Sequence, residues 1–192
     1  SNNTTSIGLA ASGTGNIATF NGVNTGTAPV TATIVVTPTF TNGGVSCAGT
    51  SQTFTITVNP TANINALNDH VLCNGASFAE VAPTTTATGG TVTYAWTNNT
   101  TSIGLAANGT GNVPAFTTVN NGTAPVTATV IVTPTFANGG VNCTGTADTF
   151  YIAVNPTAKI DTITNKVACN GATVAAVTPT TTATGGTVTY AW

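Results

Sequence analysis

Hydrophobic and polar residues alternate along several short stretches of the chain, and the clearest of these stretches occurs twice. In GGTVTYAW, at 89–96 and again at 185–192, Val92, Tyr94 and Trp96 alternate with smaller or polar residues. A period of two is typical of a strand with one face against a core and the other in solvent. The pattern predicts a core strand in which Val92, Tyr94 and Trp96 point inward.

The same alternation predicts further strands, including one near 70–73, one over 126–133 and a last one ending in VNP. The inward-facing residues of the latter two are predicted to be Val126, Ala128, Val130, Val132, Phe150, Ile152 and Val154. Stretches rich in Gly and Asn, GLAANGTGN at 104–112 and ANGGVNCTG at 137–145, separate strands and are predicted to be turns or wide connections. Short strands divided in this way are typical of a β-sandwich, so the predicted fold class is all-β.

The chain consists of two periods of one 96-residue repeat. Each residue of 1–96 aligns without a gap with a residue of 97–192, and about 70% of the aligned positions are identical. The inward residues Phe54, Ile56 and Val58 recur unchanged 96 positions later, whereas their outward neighbours vary. Core positions tolerate changes of volume poorly and solvent positions tolerate them well, so the two copies agree with the predicted faces.

The phrase VNPTA, at 58–62 and 154–158, is the predicted boundary between repeats. There an alternating strand meets a proline, which cannot donate to a β-ladder. On this frame 61–156 is one complete domain, 1–60 is the C-terminal part of a preceding domain and 157–192 is the N-terminal part of a following one. We therefore expect a segment of a longer tandem array.

Charge is almost absent from the chain. Charged residues make up 3% and hydrophobic residues 41%, whereas an ordinary soluble domain has about 25% charged residues. The apolar content is sufficient for a core, so disorder is not expected. With only Lys159 and Lys166 as strong bases, binding to nucleic acid or to anionic lipid is not expected. No apolar run approaches the roughly 20 residues that cross a bilayer, so no membrane insertion is expected.

The ionisable residues do not form a repeated chemical site. Each of them is replaced by a different residue at its counterpart in the other copy; the set is Asp69, His70, Glu80, Asp148, Lys159, Asp161 and Lys166. Acid–base catalysis needs a positioned titratable pair, and calcium needs six to eight oxygen ligands with several carboxylates. We therefore predict no catalytic, cofactor-binding or metal-ligating residues, and no enzyme.

The four cysteines allow three pairings. In an immunoglobulin-like sandwich, Cys73 in the first strand and Cys143 before the last strand are expected near the same pole, so we predict a structural disulfide between them. Cys47 and Cys169 would then pair outside this sequence. The rival pairing joins Cys47 to Cys73 and Cys143 to Cys169, and free thiols are the remaining alternative. A disulfide would imply an oxidising, extracellular setting.

Several motifs together carry a resemblance to a known family. They are CNG, TVTYAWTNN, SIGLAANGTGN, PVTATVIVTPTF and CTGTADTFYIAVNP, in this order from Cys73 to Pro156. This order resembles the PKD-like, immunoglobulin-like repeats of very large surface proteins from Bacteroidota, in particular the giant mobile adhesin of flavobacterial gliding. The resemblance implies tandem β-sandwiches in a filament, type IX secretion and a location at the cell surface.

The function that we expect is a non-enzymatic stalk that holds an adhesive tip away from the cell, in gliding motility among other settings. Its partners would be neighbouring repeats of the same long chain, with surface polysaccharide or other cells reached through regions outside this sequence. Two alternatives stay open. One is a subunit of an extracellular fibre assembled by strand pairing between chains, and the other is a carbohydrate-binding module that uses Tyr94 and Trp96.

Overall fold

The computed structural model describes all 192 residues and is all-β, with sheets consistent with a β-sandwich. Two three-residue 3-10 turns, Thr5–Ile7 and Thr101–Ile103, are its only helical elements, and no helix could cross a bilayer. The strands are β1 (Val30–Val36), β2 (Thr39–Asn42), β3 (Val45–Ala48), β4 (Gln52–Val58), β5 (His70–Cys73), β6 (Ser77–Phe78), β7 (Thr91–Asn98), β8 (Asn108–Thr110), β9 (Phe116–Thr117), β10 (Val126–Asn138), β11 (Val141–Thr144) and β12 (Asp148–Asn155).

One six-stranded sheet and three two-stranded sheets contain all of these strands. The large sheet has the order β5-β12-β10-β7-β8, with β11 paired to β10. Strand β12 pairs antiparallel with β10, from Val126 opposite Val154 to Val132 opposite Asp148, and pairs parallel with β5. The small sheets are β1 with β4, β2 with β3, and β6 with β9.

The chain divides into two compact units, each assembled from non-contiguous segments. Unit 1 comprises Ser1–Asn65, Thr84–Tyr94 and Thr133–Ala147. Unit 2 comprises Ala66–Pro83, Ala95–Val132 and Asp148–Trp192. The predicted domain 61–156 contributes segments to both units, and its boundaries stay a prediction.

Unit 2 has a well-packed core made by the predicted inward faces of its strands. Trp96 is 4% exposed, and the side chains that are fully buried include Val130, Val132, Phe150, Ile152 and Val154. Strand β12 alternates buried and more accessible positions, as its sequence pattern predicts. In unit 1, Val92 and Tyr94 of β7 are half-buried, so these two predicted core residues contribute less to a core than Trp96 does.

Unit 1 has a smaller core. Ile7, Ala32 and Ile34 are buried there, with Leu9, Phe20, Val30, Ile56 and Val58 packed around them. Strands β1 and β4 form a sheet of only two strands, in which the segment 1–3 is bonded to the edge of β1 and no strand pairs with the edge of β4. Phe54 of β4 is 43% exposed, whereas the equivalent Phe150 in unit 2 is fully buried.

Strand β10 is longer than predicted. The sequence pattern predicts an end at Thr133, before Pro134, but the strand continues to Asn138 and forms a hairpin with β11. Pro134 lacks an N–H, yet its carbonyl accepts a hydrogen bond from the Gly145 N–H at 2.9 Å. The predicted turn at 137–145 is therefore mostly strand, and the actual turn is Gly139-Gly140, where φ is 60° and 75°. Strand β8 likewise lies inside the Gly-rich stretch predicted as a connection.

The predicted disulfide between Cys73 and Cys143 is not formed, because all four cysteines are free thiols. Strand β5 runs parallel to β12, so its last residue, Cys73, pairs with Asn155 at the end of β12. Cys143 precedes the start of β12 and lies opposite Phe136 in the hairpin. Cys73 therefore belongs to unit 2 and Cys143 to unit 1.

Candidate functional site

The candidate site is a set of contacts that occurs twice, with its residues displaced by 96 positions. We call the two sets the first joint, in unit 1, and the second joint, in unit 2. In the first joint the Thr88 N–H donates to the Thr27 carbonyl at 2.7 Å, and in the second the Thr184 N–H donates to the Thr123 carbonyl at 2.7 Å. The first joint consists of Thr27, Pro29, Asn59, Ala62 and 87–92, and the second of Thr123, Pro125, Asn155, Ala158 and 183–188.

A glycine pressed against a proline fixes each joint. Gly89 and Gly185 have positive φ angles of 78° and 76°, a conformation that side chains with a Cβ rarely adopt. A Cβ on Gly89 would lie 2.8 Å from Cδ of Pro29, and one on Gly185 would lie 2.7 Å from Cδ of Pro125. Both the backbone angle and the proline ring therefore require glycine here.

A pair of hydrogen bonds beside each joint is present in both copies, although one of the bonded residues differs between them. The Asn65 N–H donates to the Thr84 carbonyl at 2.9 Å, and the Asn65 amide Nδ2 donates to Thr84 Oγ1 at 2.8 Å. In the second copy Asp161 replaces Asn65. Its N–H donates to the Thr180 carbonyl at 2.9 Å, and Thr180 Oγ1 now donates to Asp161 Oδ2 at 2.7 Å. The hydroxyl reverses its role, so the link is kept with either residue.

The β10–β11 hairpin occupies the first joint. The ring of Phe136 lies over Gly90, where a Cβ would overlap with ring carbon Cζ. Asn59 Nδ2 donates to the Asn138 carbonyl at 3.0 Å, and Asn138 Nδ2 donates back to Asn59 Oδ1 at 2.9 Å. Gly145, just after β11, packs on Ala62, where a Cβ would overlap with the Ala62 carbonyl, and Ala62 is 2% exposed. An aromatic anchor and an amide pair therefore hold the hairpin in place.

The second joint is an open cavity. Its volume is about 310 Å³, and its lining includes Pro125, Asn155, Ala158 and Gly186. Gly186 has no heavy atom within 4 Å of a Cβ built on it, and Ala158 is exposed, unlike its counterpart in the first joint. The lining is apolar or neutral, so this cavity can hold a ring by packing and an amide by hydrogen bonds, and it supplies no titratable group.

Three of the ionisable residues named from the sequence, Asp69, Asp148 and His70, have local structural contacts. Asp69 Oδ1 accepts from the Tyr151 N–H at 2.8 Å, and Asp148 Oδ2 accepts from the Leu67 N–H at 2.7 Å. His70 packs edge-on against the ring of Phe78, with centroids 4.9 Å apart. No three His, Cys, Asp or Glu side chains come together as ligands of a metal ion would.

Sequence reasoning missed two buried asparagines that organise unit 2. Asn120 is 4% exposed; its Nδ2 donates to the Ala124 and Val154 carbonyls at 2.9 and 2.7 Å, and its Oδ1 accepts from the Gly122 N–H at 2.9 Å. Asn98 bonds similarly to the loop that follows it. The signal that could have found them is their identity in both copies, as Asn24 and Asn2.

No protein-family model matches this sequence, and no curated protein matches it. The repeated joint and the cores of the two units are therefore the observations from which a function can be inferred.

Proposed function

We propose that the chain is a non-enzymatic spacer, a segment of a rod of tandem immunoglobulin-like β-sandwich repeats. The observation that carries this proposal is the recurrence of the joint, with its backbone hydrogen bond at 2.7 Å in both copies. A rod of repeats needs the same contact between successive neighbours, because each repeat touches only those next to it. A joint that recurs with the period of the sequence supplies such a contact.

The chemistry of the chain supports a mechanical role over a catalytic one. No Asp, Glu, Lys or His recurs unchanged in the two copies, and a repeat without a positioned acid–base pair cannot perform acid–base catalysis in each unit. Both joints are held by proline–glycine packing and by backbone hydrogen bonds, and the first is held also by the amide pair of Asn59 and Asn138. These contacts depend on shape rather than on charge, so pH and salt would alter them little.

We further propose a location outside the cell, on the resemblance to the repeats of Bacteroidota surface adhesins. Within that proposal the rod is exported by type IX secretion and separates an adhesive region from the cell, as in gliding. The carbohydrate-binding alternative draws less support, because Trp96 is 4% exposed and its indole N–H donates to the Asn112 carbonyl at 3.2 Å. A ring that is packed and hydrogen-bonded in this way offers no stacking face to a sugar.

Small-angle X-ray scattering tests the spacer function. We would compare this chain with one that carries a further copy of 97–192 joined to Trp192, which keeps the repeat in register. A strand of eight residues spans roughly 27 Å, so each period would lengthen the particle by about 35–45 Å. A maximum dimension that does not grow with the added period would contradict the proposal.

A matched pair of glycine variants tests the role of the joint in the lengthened chain. Gly89→Val places a side chain against Pro29 at a φ of 78°, whereas Gly111→Val meets an equally positive φ of 77° with no atom within 4 Å of its Cβ. We expect Gly89→Val to broaden the distance distribution and Gly111→Val to leave it unchanged. Equal broadening in both variants would show that the joint does not determine the length added by each repeat.

A further inference from the structure

Strands β5 and β12 pair in parallel, whereas β12 pairs antiparallel with β10 on its other side. The parallel ladder has four residue pairs, from His70 opposite Ile152 to Cys73 opposite Asn155. In the predicted repeat 61–156, β5 is the first strand and β12 is the last. The strand by which the chain enters this repeat and the strand by which it leaves therefore lie side by side and run in the same direction.

The direction of these two strands determines how a pulling force acts on the bonds between them. Tension along the chain pulls β5 toward its amino end and β12 toward its carboxyl end. In a parallel pair these two ends lie at opposite ends of the ladder, so the force runs along the strands and loads the evenly spaced bonds together. In an antiparallel pair the two pulled ends would be neighbours, and the bonds would break one after another.

Asn74, directly after β5, continues the contact beyond the ladder. Its N–H donates to the Asn155 carbonyl at 2.8 Å, and its Nδ2 donates to Thr157 Oγ1 at 3.0 Å. Its Oδ1 accepts from the Asn120 N–H at 2.8 Å, and Asn120 Nδ2 donates to the Val154 carbonyl at 2.7 Å. The carboxyl end of β5 is therefore bonded to β12 directly and also through Asn120.

Side chains fasten the amino end of the pair as well. Asp69 Oδ1 accepts from the Tyr151 N–H at 2.8 Å, one position before the first pair of the ladder. The His70 ring packs edge-on against the rings of Phe78 and Phe150, with centroids 4.9 and 6.0 Å apart. A strand that slid along its partner would lose bonds at both ends and this aromatic packing at the same time.

The residues that fasten the carboxyl end are the same in the other copy of the repeat. The counterparts of Asn74, Asn120, Asn155 and Thr157 are identical to them; they are Asn170, Asn24, Asn59 and Thr61. In unit 1, Asn24 Nδ2 donates to the Val58 carbonyl at 2.8 Å, as Asn120 Nδ2 does to the Val154 carbonyl. These residues therefore belong to the repeat and not to one copy of it.

We propose that the β5–β12 pair bears tension, so that the chain resists pulling along its length in addition to setting a distance. A spacer needs only a fixed length, whereas a tether must also keep its strands together under load. Tension bearing goes beyond the spacer function and rests on it in one respect, because neighbouring repeats of one chain transmit the force to β5 and β12.

Optical-tweezers force spectroscopy with two pulling directions tests the proposal on the 192-residue chain. Handles are attached to single thiols, and the native cysteines that carry no handle are replaced by serine. In the first variant the handles are at Asn68→Cys and Lys159→Cys, beyond opposite ends of the pair, so the force runs along the strands. In the second they are at Cys73 and Lys159→Cys, at one end of the pair, so the strands are peeled apart. All three positions are exposed.

The two variants differ only at 68 and 73, so a difference in unfolding force reports the direction of pulling. We expect the force to be at least about twofold higher in the first variant, because evenly spaced bonds of a parallel ladder share the load. Equal forces in the two directions, or a higher force in the second variant, would overturn the proposal.

Asn74→Ala tests the side-chain fastening in the first pulling direction. The matched control is Asn98→Ala, which removes a buried asparagine whose bonds lie in the loop after β7. Forced unfolding is governed by the unfolding rate and not by the equilibrium free energy. We therefore expect Asn74→Ala to lower the unfolding force and Asn98→Ala to leave it nearly unchanged.

An equal loss of force in Asn74→Ala and Asn98→Ala would overturn the proposal, because the strength of the chain would then not reside in the β5–β12 pair. None of these results would alter the length added by each repeat, which tests the spacer function separately.

Discussion

The ring of Phe136 lies so close to Gly90 that any side chain at that glycine would overlap with it. A Cβ on Gly90 would lie 2.9 Å from ring carbon Cε1 and 2.7 Å from the Ala137 carbonyl oxygen. At Gly186, the counterpart in the second joint, the same atom would have no neighbour within 4 Å. Gly90 therefore lies in an occupied joint, whereas Gly186 lies in an open one.

The first prediction compares these two glycines. We expect Gly90→Val to lower the free energy of unfolding by about 1–3 kcal/mol, because the added side chain overpacks the first joint. Gly186→Val in dilute solution is expected to change it by less than about 0.5 kcal/mol, as surface substitutions do. Urea unfolding of both variants and the parent chain measures the difference. Equal costs for the two variants would mean that Phe136 does not fill the first joint.

The second prediction uses two phenylalanines that occupy equivalent positions in the repeat. Phe150→Ala is expected to cost about 3–5 kcal/mol, because it empties a fully buried site. Phe54→Ala is expected to cost about 1 kcal/mol, because that ring is 43% exposed in the single copy. Chemical unfolding in dilute solution checks both values. Similar losses for the two variants would show that the Phe54 ring is as buried in solution as the Phe150 ring.

The third prediction concerns the buried Asn120. Asn120→Ala leaves the carbonyls of Ala124 and Val154 and the N–H of Gly122 without their partner. We expect a loss of about 2–4 kcal/mol, since each buried group without a hydrogen bond costs about 1–3 kcal/mol. Asn121→Ala, at the exposed neighbouring position, is the control and is expected to be nearly neutral. Thermal unfolding measures the loss. If Asn120→Ala is as stable as the parent chain, the hydrogen bonds of Asn120 do not contribute to stability.

The fourth prediction follows from the tyrosine of β7. Burial raises the pKa of Tyr94 above its ordinary value of 10.0, because desolvation disfavours the phenolate. Above that ordinary value the unfolded chain loses this proton before the folded chain does, so the free energy of unfolding decreases as pH rises through the window between the two pKa values. Tyr94→Phe is expected to remove this part of the alkaline destabilisation. Urea unfolding on either side of pH 10.0 compares the two chains, and identical pH dependence would contradict the assignment.

The strand faces could be predicted from the sequence because side chains in a strand alternate with a period of two. That regularity placed Trp96, Phe150 and Ile152 on the buried side. It failed at Pro134, where the expected stop is overridden by the hairpin that β10 forms with β11. It could not predict the direction of β5, because that direction depends on the parallel pairing of β5 with β12, which no local pattern encodes.

The joint could not be predicted from periodicity, because it brings together segments far apart in sequence. Gly90 and Phe136 are separated by nearly half of a repeat, and nothing near either residue points to the other. The usable signal was the comparison of the two copies, in which Pro29, Asn59 and Gly90 all recur unchanged. Of the contacts these residues make, the packing of a proline on a glycine is found in both copies, at Pro29 with Gly89 and at Pro125 with Gly185.

The central claim is that the chain is a mechanical spacer made of equal units. Single-molecule force spectroscopy on two copies of the chain joined from Trp192 to Ser1, which preserves the 96-residue period, tests it most directly. An extended chain spans about 3.3–3.6 Å per residue, so each repeat would release roughly 280–300 Å after subtraction of a folded length of about 40 Å. We predict force peaks separated by that constant increment, and a trace without peaks or with irregular increments would contradict the account.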